Sequence, residues 1–150
     1  YRMNEMQGTV GKAQLKKLDY VVSEQRKNAN LIENLISDLP LKMRTIPQKG
    51  FETADALVFF VESKEVALEC RDALVKAGCG TKILPEAITW HFAGTWSHMK
   101  ELVKQYDLDL MDAFPNSLSI LNCAVSLPIT VKMKEDLPSK VSTVLNGILK

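Results

Sequence analysis

Apolar residues recur at steps of three and four from the start of the chain. Met3, Met6, Val10 and Ala13 open the series, and Leu18, Val22, Ala29, Ile32 and Ile36 continue it with Gln25 on the same face. This period predicts one long amphipathic helix ended by Pro40. At about 1.5 Å per residue it would span roughly 50 Å, more than a domain of this size covers. Part of its apolar face is therefore expected to meet a second lobe or subunit. Gly8 and Gly11 each weaken a helix by about 1 kcal/mol relative to alanine, so close packing against another element is their expected compensation. Lys16, Lys17, Glu24, Arg26 and Lys27 read as a solvated face.

Residues 41–54, with Pro47 and Gly50 among polar neighbours, read as a loop or a short edge strand. Ala56 to Val61 is a continuous apolar run of strand length, rich in β-formers. Ser63 is placed to cap a helix, with Glu65 in the first turn and a face of Ala67, Cys70, Leu74 and Ala77. Gly78 supplies its stop, and Thr81 to Leu84 reads as the next strand, which makes a βαβ-type unit. From Pro85 to Ala113 the pattern loosens, with Ser97 placed to cap a helix through Tyr106. Pro115 opens a short helix ending at Asn122, and Ala124 to Val131 is a strand whose Pro128 argues for an edge position or a bulge. A final helix begins near Pro138 with Leu137, Val141, Val144 and Ile148 in one stripe. The class is α/β or α+β, a small sheet of three or four strands covered by helices after a long opening helix. Residues 1–40 form the linking helix and 41–150 the small domain.

Composition narrows the function classes. The 150 residues are 46% hydrophobic, enough for one core, and 19 basic against 18 acidic side chains leave no surplus to neutralise a phosphate backbone. No apolar run reaches the roughly 18–20 residues of a membrane span, and the opening is too polar for a signal peptide. Nucleic acid, membrane and secretion are disfavoured, and a cytoplasmic protein is expected. Cys70, Cys79 and Cys123 match neither a disulfide framework nor a metal spacing and read as reduced, buried thiols. The first residue is a tyrosine, which is expected of a piece of something larger.

The residues offer few chemical candidates. No glycine-rich phosphate loop, nucleophile elbow or zinc knuckle is present. His91 and His98 have no carboxylate or thiolate at ligand spacing, so no metal is expected. Trp90 and His91, with Phe92 and Trp96, make either the wall of a polar-ligand pocket or a corner of the core. Lys82, inside a strand after Gly80, is either part of a lined site or an exposed strand lysine. Arg2 beside Tyr1 is a candidate anion clamp, since a guanidinium grips carboxylate or phosphate bidentately.

The stretch from Tyr1-Arg2-Met3 through Gly11-Lys12-Ala13-Gln14-Leu15-Lys16-Lys17-Leu18-Asp19 resembles the opening of the corresponding helix in DegT/StrS-type sugar aminotransferases. Asn122-Cys123-Ala124-Val125-Ser126-Leu127-Pro128, followed by Met133-Lys134-Glu135-Asp136, is similar to that family's Ser-Leu-Pro strand and next helix. The strand, helix and Gly78-Cys79-Gly80-Thr81 turn also fit its small domain. The resemblance implies the C-terminal small lobe of a fold type I pyridoxal phosphate enzyme, with the Schiff-base lysine upstream of Tyr1 and no catalytic residue in these 150. By the same resemblance Tyr1 and Arg2 border the cofactor of the neighbouring subunit in a homodimer, or Arg2 is a buried structural link between the lobes. Lys82, Trp90 and His91 would face the sugar, and the wording around them is similar to the subset acting on eight-carbon ulosonic acids. The implied reaction moves an amino group from an amino-acid donor to a keto-sugar. These 150 residues alone are expected neither to bind pyridoxal phosphate nor to catalyse.

Two other readings compete. A free-standing βαβ, ferredoxin-like ligand-binding or regulatory module would explain Ala56 to Leu84 without catalysis, but not the opening helix. A packing lobe that dimerises through Met3, Met6 and Val10 would be purely structural.

Overall fold

In the computed structural model, residues 2–48, 52–80, 82–83, 92–105 and 109–150 are described. The opening helical stretch forms, but in two segments, α1 (Glu5–Leu15) and α2 (Leu18–Ile36). The break falls at Lys16 and Lys17, where the Lys17 N–H donates to the Gln14 carbonyl at 2.9 Å, three residues back instead of four. No glycine or proline marks it. Asn4 and Gln7 close a reciprocal capping box at the start of α1. No residue of α1 is buried, whereas Asn28, Ala29, Ile32 and Ile36 of α2 are.

Strand β1 (Lys42–Met43) pairs antiparallel with β2 (Ala56–Phe60). Helix α3 (Lys64–Lys76) follows, its first turn held by the Ser63 hydroxyl, which accepts from the Val66 N–H at 3.3 Å. It stops in a Schellman motif: Gly78, at φ 78°, donates to the Val75 carbonyl, and the Cys79 N–H reaches back to Leu74 at 2.8 Å. Strand β3 (Lys82–Ile83) comes next. A 3-10 turn (Ala93–Thr95) leads to α4 (Lys100–Gln105), α5 (Leu110–Ala113) and α6 (Pro115–Asn122). Strand β4 (Ala124–Pro128) and α7 (Leu137–Leu149) complete the order.

The sheet runs β1-β2-β4-β3. Two sequence expectations change here. β2 and β3 do run parallel across α3, but β4 lies between them, antiparallel to both, so the unit is a split βαβ. The strand with Pro128 is therefore central, not an edge. Ala124 to Leu127 is buried on both faces, as a central strand requires. Pro128 fits because the next N–H, that of Ile129, makes the bond to Asp55 at 2.8 Å. The alternation of a ladder then leaves the proline nitrogen pointing away from β2, beyond the β3 pairings at Val125 and Ser126.

One face of the sheet carries the core. Phe59, Val125 and Leu127 meet Ile32 and Ile36 of α2, Leu74 of α3 and Val141 and Leu145 of α7. Each fully buried aliphatic side chain contributes about 1.5–3 kcal/mol. Polar ties fix α2 over the chain leaving β4: the Asn28 amide donates to the Thr130 carbonyl at 2.8 Å and the Gln25 amide to Ile129 at 3.1 Å. Helices α2, α3 and α7 thus occupy one layer, and α2 forms the end of it next to β2.

Candidate functional site

Of the residues singled out in the sequence, Tyr1, Trp90 and His91 lie outside the described residues. Arg2 is exposed, just ahead of the capping box that starts α1. Lys82 lies on β3, its backbone opposite Ser126 of β4. Arg2 and Lys82 are therefore carried by different elements, the flank of α1 and an edge strand. His98, the second histidine, is exposed.

Among the described residues, a concavity lies elsewhere, on the β1 side of the sheet. A cavity of about 430 Å³ opens between α2 and the β1–β2 edge. Helix α2 contributes Arg26, Asn30 and Glu33 at spacings of four and three, which stack them on one face. The opposite wall carries Arg44 and Glu52. Glu52 is gripped twice: its carbonyl accepts from Arg26 Nε at 2.6 Å and its carboxylate from Arg44 Nη2 at 3.0 Å. Ala54, 4% exposed, turns the chain along the cavity with φ 56°, a left-handed angle unusual for a residue with a Cβ. Arg26 is half-buried and bonded, so the solvated-face expectation does not hold for it. Sequence reasoning missed this cluster because its walls are 26 residues apart and no local pattern joins them.

The thiols are placed for packing. Cys70 and Cys79 are buried and Cys123 is half-buried, all unpaired. Burial, aided by Glu69, pushes the Cys70 thiol up to about 11, and burial also raises Cys79, which disfavours a nucleophilic thiolate. At the surface, the Asp136 carboxylate and Lys140 ammonium pair at 2.7 Å and hold each other in their charged forms. Its own backbone N–H, and then the Ser63 hydroxyl, lower the Glu65 carboxyl at the start of α3.

The pyridoxal phosphate implied by the resemblance needs a desolvated lysine and a surplus of donors for its phosphate. In the enclosed cavity two guanidinium groups face two carboxylates, and no lysine is among its described lining residues. Lys42 lines a shallower groove with Arg44 and Ser119, but on β1 it is exposed. The described residues therefore do not fit the cofactor by themselves. None of their helices is long and apolar enough to cross a membrane.

Several solved structures share the fold. Spr1654 of Streptococcus pneumoniae, assigned as a sugar aminotransferase and seen in its PMP form, matches at TM-score 0.75 and 15% identity over 99% of this chain. Helicobacter pylori PseC, an aminotransferase of pseudoaminic acid biosynthesis, matches at TM-score 0.69 and 15% identity over 99%. The Escherichia coli GDP-4-keto-6-deoxy-D-mannose-3-dehydratase with bound hydrated PLP matches at TM-score 0.69 and 19% identity over 97%. The chain spans only 36%, 38% and 36% of those chains, respectively. The model of the DegT/DnrJ/EryC1/StrS aminotransferase family matches residues 1–146. With nearly its whole length matched, and with the split sheet under α2, α3 and α7 shared with the solved structures, the chain belongs to the DegT/DnrJ/EryC1/StrS aminotransferase family.

Proposed function

We propose that these residues are the small lobe of a pyridoxal phosphate-dependent sugar aminotransferase, which moves an amino group from an amino-acid donor such as glutamate to a keto-sugar. The observation that carries this reading is the pairing of a near-complete family match with little more than a third of the neighbours' length. Helix α1 supports it, because Met6 is 77% exposed, Leu15 68% and Val10 55%. An apolar face of this kind suits a lobe that rests on another body.

In this reading residues 1–40 link the lobes and 41–150 form the small domain. The Schiff-base lysine and the phosphate grip belong to the other lobe. Tyr1 and Arg2 border the cofactor across a homodimer, and Lys82, Trp90 and His91 face the sugar. The lobe's work is to wall the cleft and exclude water, with the enzyme in the cytoplasm.

The test compares the 150-residue chain with the longer protein that carries it. With pyridoxal phosphate, glutamate and a keto-sugar, the longer protein should release 2-oxoglutarate, and Arg2→Ala should weaken cofactor retention. The chain alone should release none and show no band above about 400 nm on adding the cofactor. Turnover by the chain alone, or none by the longer protein with any keto-sugar, would refute the assignment.

A further inference from the structure

We propose, resting on the small-lobe reading, that α1 is enclosed on two opposite sides by the other lobe of the same polypeptide, instead of lying along its surface. At about 100° per residue, Met6, Val10 and Ala13 share one side of α1, and Gly8, Gly11 and Leu15 share the side roughly half a turn away. Its charges, Glu5 and Lys12, lie seven residues apart on one strip between these sides, and Gln7 and Gln14 lie on the strip across from it. A helix laid on a body needs a single apolar stripe, as α2 has in Ala29, Ile32 and Ile36. Helix α1 has an apolar side and a second side of small and apolar residues, and this chain buries neither. Met6 is 77% exposed and Val10 55% on the first, and Leu15 68% on the second.

Two further observations point to burial on both sides. Gly8 and Gly11 weaken the helix, yet among the described residues nothing lies within 4 Å of where their Cβ atoms would stand. Neither has the left-handed angle that Gly78 has. The 150-residue chain therefore makes no use of either glycine, whereas a backbone packed closely against that side would. Two uncharged polar side chains of α1 are also satisfied locally. Thr9 Oγ1 donates to the Glu5 carbonyl at 2.8 Å, and Gln7 Oε1 accepts from the Asn4 N–H at 3.0 Å. Groups already bonded within the helix leave water at little cost.

Area and chain length decide the occupant. Helix α1 is about 16 Å long and about 10 Å across, so each side offers on the order of 200 Å². A stable interface between separate molecules takes about 800 Å² per partner, so these sides alone do not hold a second copy. A lobe of the same polypeptide is already tethered and loses little translational freedom on docking. The Streptococcus pneumoniae structure that matches 99% of this chain is covered by it only to 36%, and so holds the counterpart of α1 within a much longer polypeptide.

The test is hydroxyl-radical footprinting, read by mass spectrometry, of the 150-residue chain and of the longer protein that carries it. Met6 and Leu15 report the two sides. Both should react freely in the 150-residue chain and about tenfold more slowly in the longer protein, equally at every protein concentration. Protection of one side only, or of neither, would overturn the proposal. Protection lost on dilution would overturn it too, because a second copy would then be the cover. Gly11→Leu gives an independent reading. It should raise the unfolded fraction of the longer protein about tenfold at a fixed urea concentration, through overpacking, and should not raise that of the 150-residue chain. Equal tolerance in both proteins contradicts enclosure. Release of 2-oxoglutarate separates this proposal from the reading beneath it. An active longer protein with one side of α1 exposed keeps the lobe assignment and removes the enclosure, and an inactive one counts against the assignment whatever the footprint.

Discussion

Gly78 has φ 78°, and nothing lies within 4 Å of where its Cβ would stand. An alanine there would meet no atom and carry only the cost of a left-handed backbone, about 1–2 kcal/mol. Gly78→Ala should therefore lower the unfolding free energy by about 1 kcal/mol in a urea titration, while Gly80→Ala, in equally open space without that angle, should stay within about 0.5 kcal/mol. Cys70 ties stability to pH by a different route. Its folded thiol ionises near 11 and an unfolded one near 9, so between those values the unfolded chain loses a proton that the folded chain keeps. The thiol's contribution is fully present below about pH 9 and falls as pH rises toward 11, by roughly 3 kcal/mol in all. The difference in unfolding free energy between the native chain and Cys70→Ala, followed across that range, should shrink with pH.

Among the elements, α1 and α2 differ most in what they bury. Ile32 of α2 is fully buried, and Ile32→Ala should cost about 2–5 kcal/mol. Met6→Lys on α1 should change the stability of the 150-residue chain by less than about 0.5 kcal/mol, because that side chain is 77% exposed. Elements with local signals were legible in the sequence. Ala56 to Phe60 announced β2 by composition, Ser63 and Gly78 bracketed α3, and Pro138 with Val141 announced α7. The break at Lys16–Lys17 was not, since both residues favour helix. The central place of β4 was hidden by Pro128, whose missing N–H harms a strand only on the side where a partner needs it.

For the molecule as a whole, the family was legible at both ends of the chain, in the stretch from Tyr1 to Asp19 and in Ser126-Leu127-Pro128. The split βαβ was not, because inserting β4 between β2 and β3 is a long-range pairing that no local pattern records. The cavity was equally silent: Arg26 looks like any helix charge until the chain returns with Glu52. Of the site residues read from the resemblance, Tyr1, Trp90 and His91 lie outside the described residues, while Arg2 and Lys82 sit on separate elements. The lobe assignment thus turns on α1, a helix that this chain leaves uncovered. Amide hydrogen exchange over Glu5–Leu15 tests it most directly. In the 150-residue chain these amides should exchange almost as in an unfolded peptide, and in the longer protein that carries the chain they should gain about a hundredfold protection. Protection equal to that of α2 in the 150-residue chain, or no gain in the longer protein, would contradict a lobe built to rest on another.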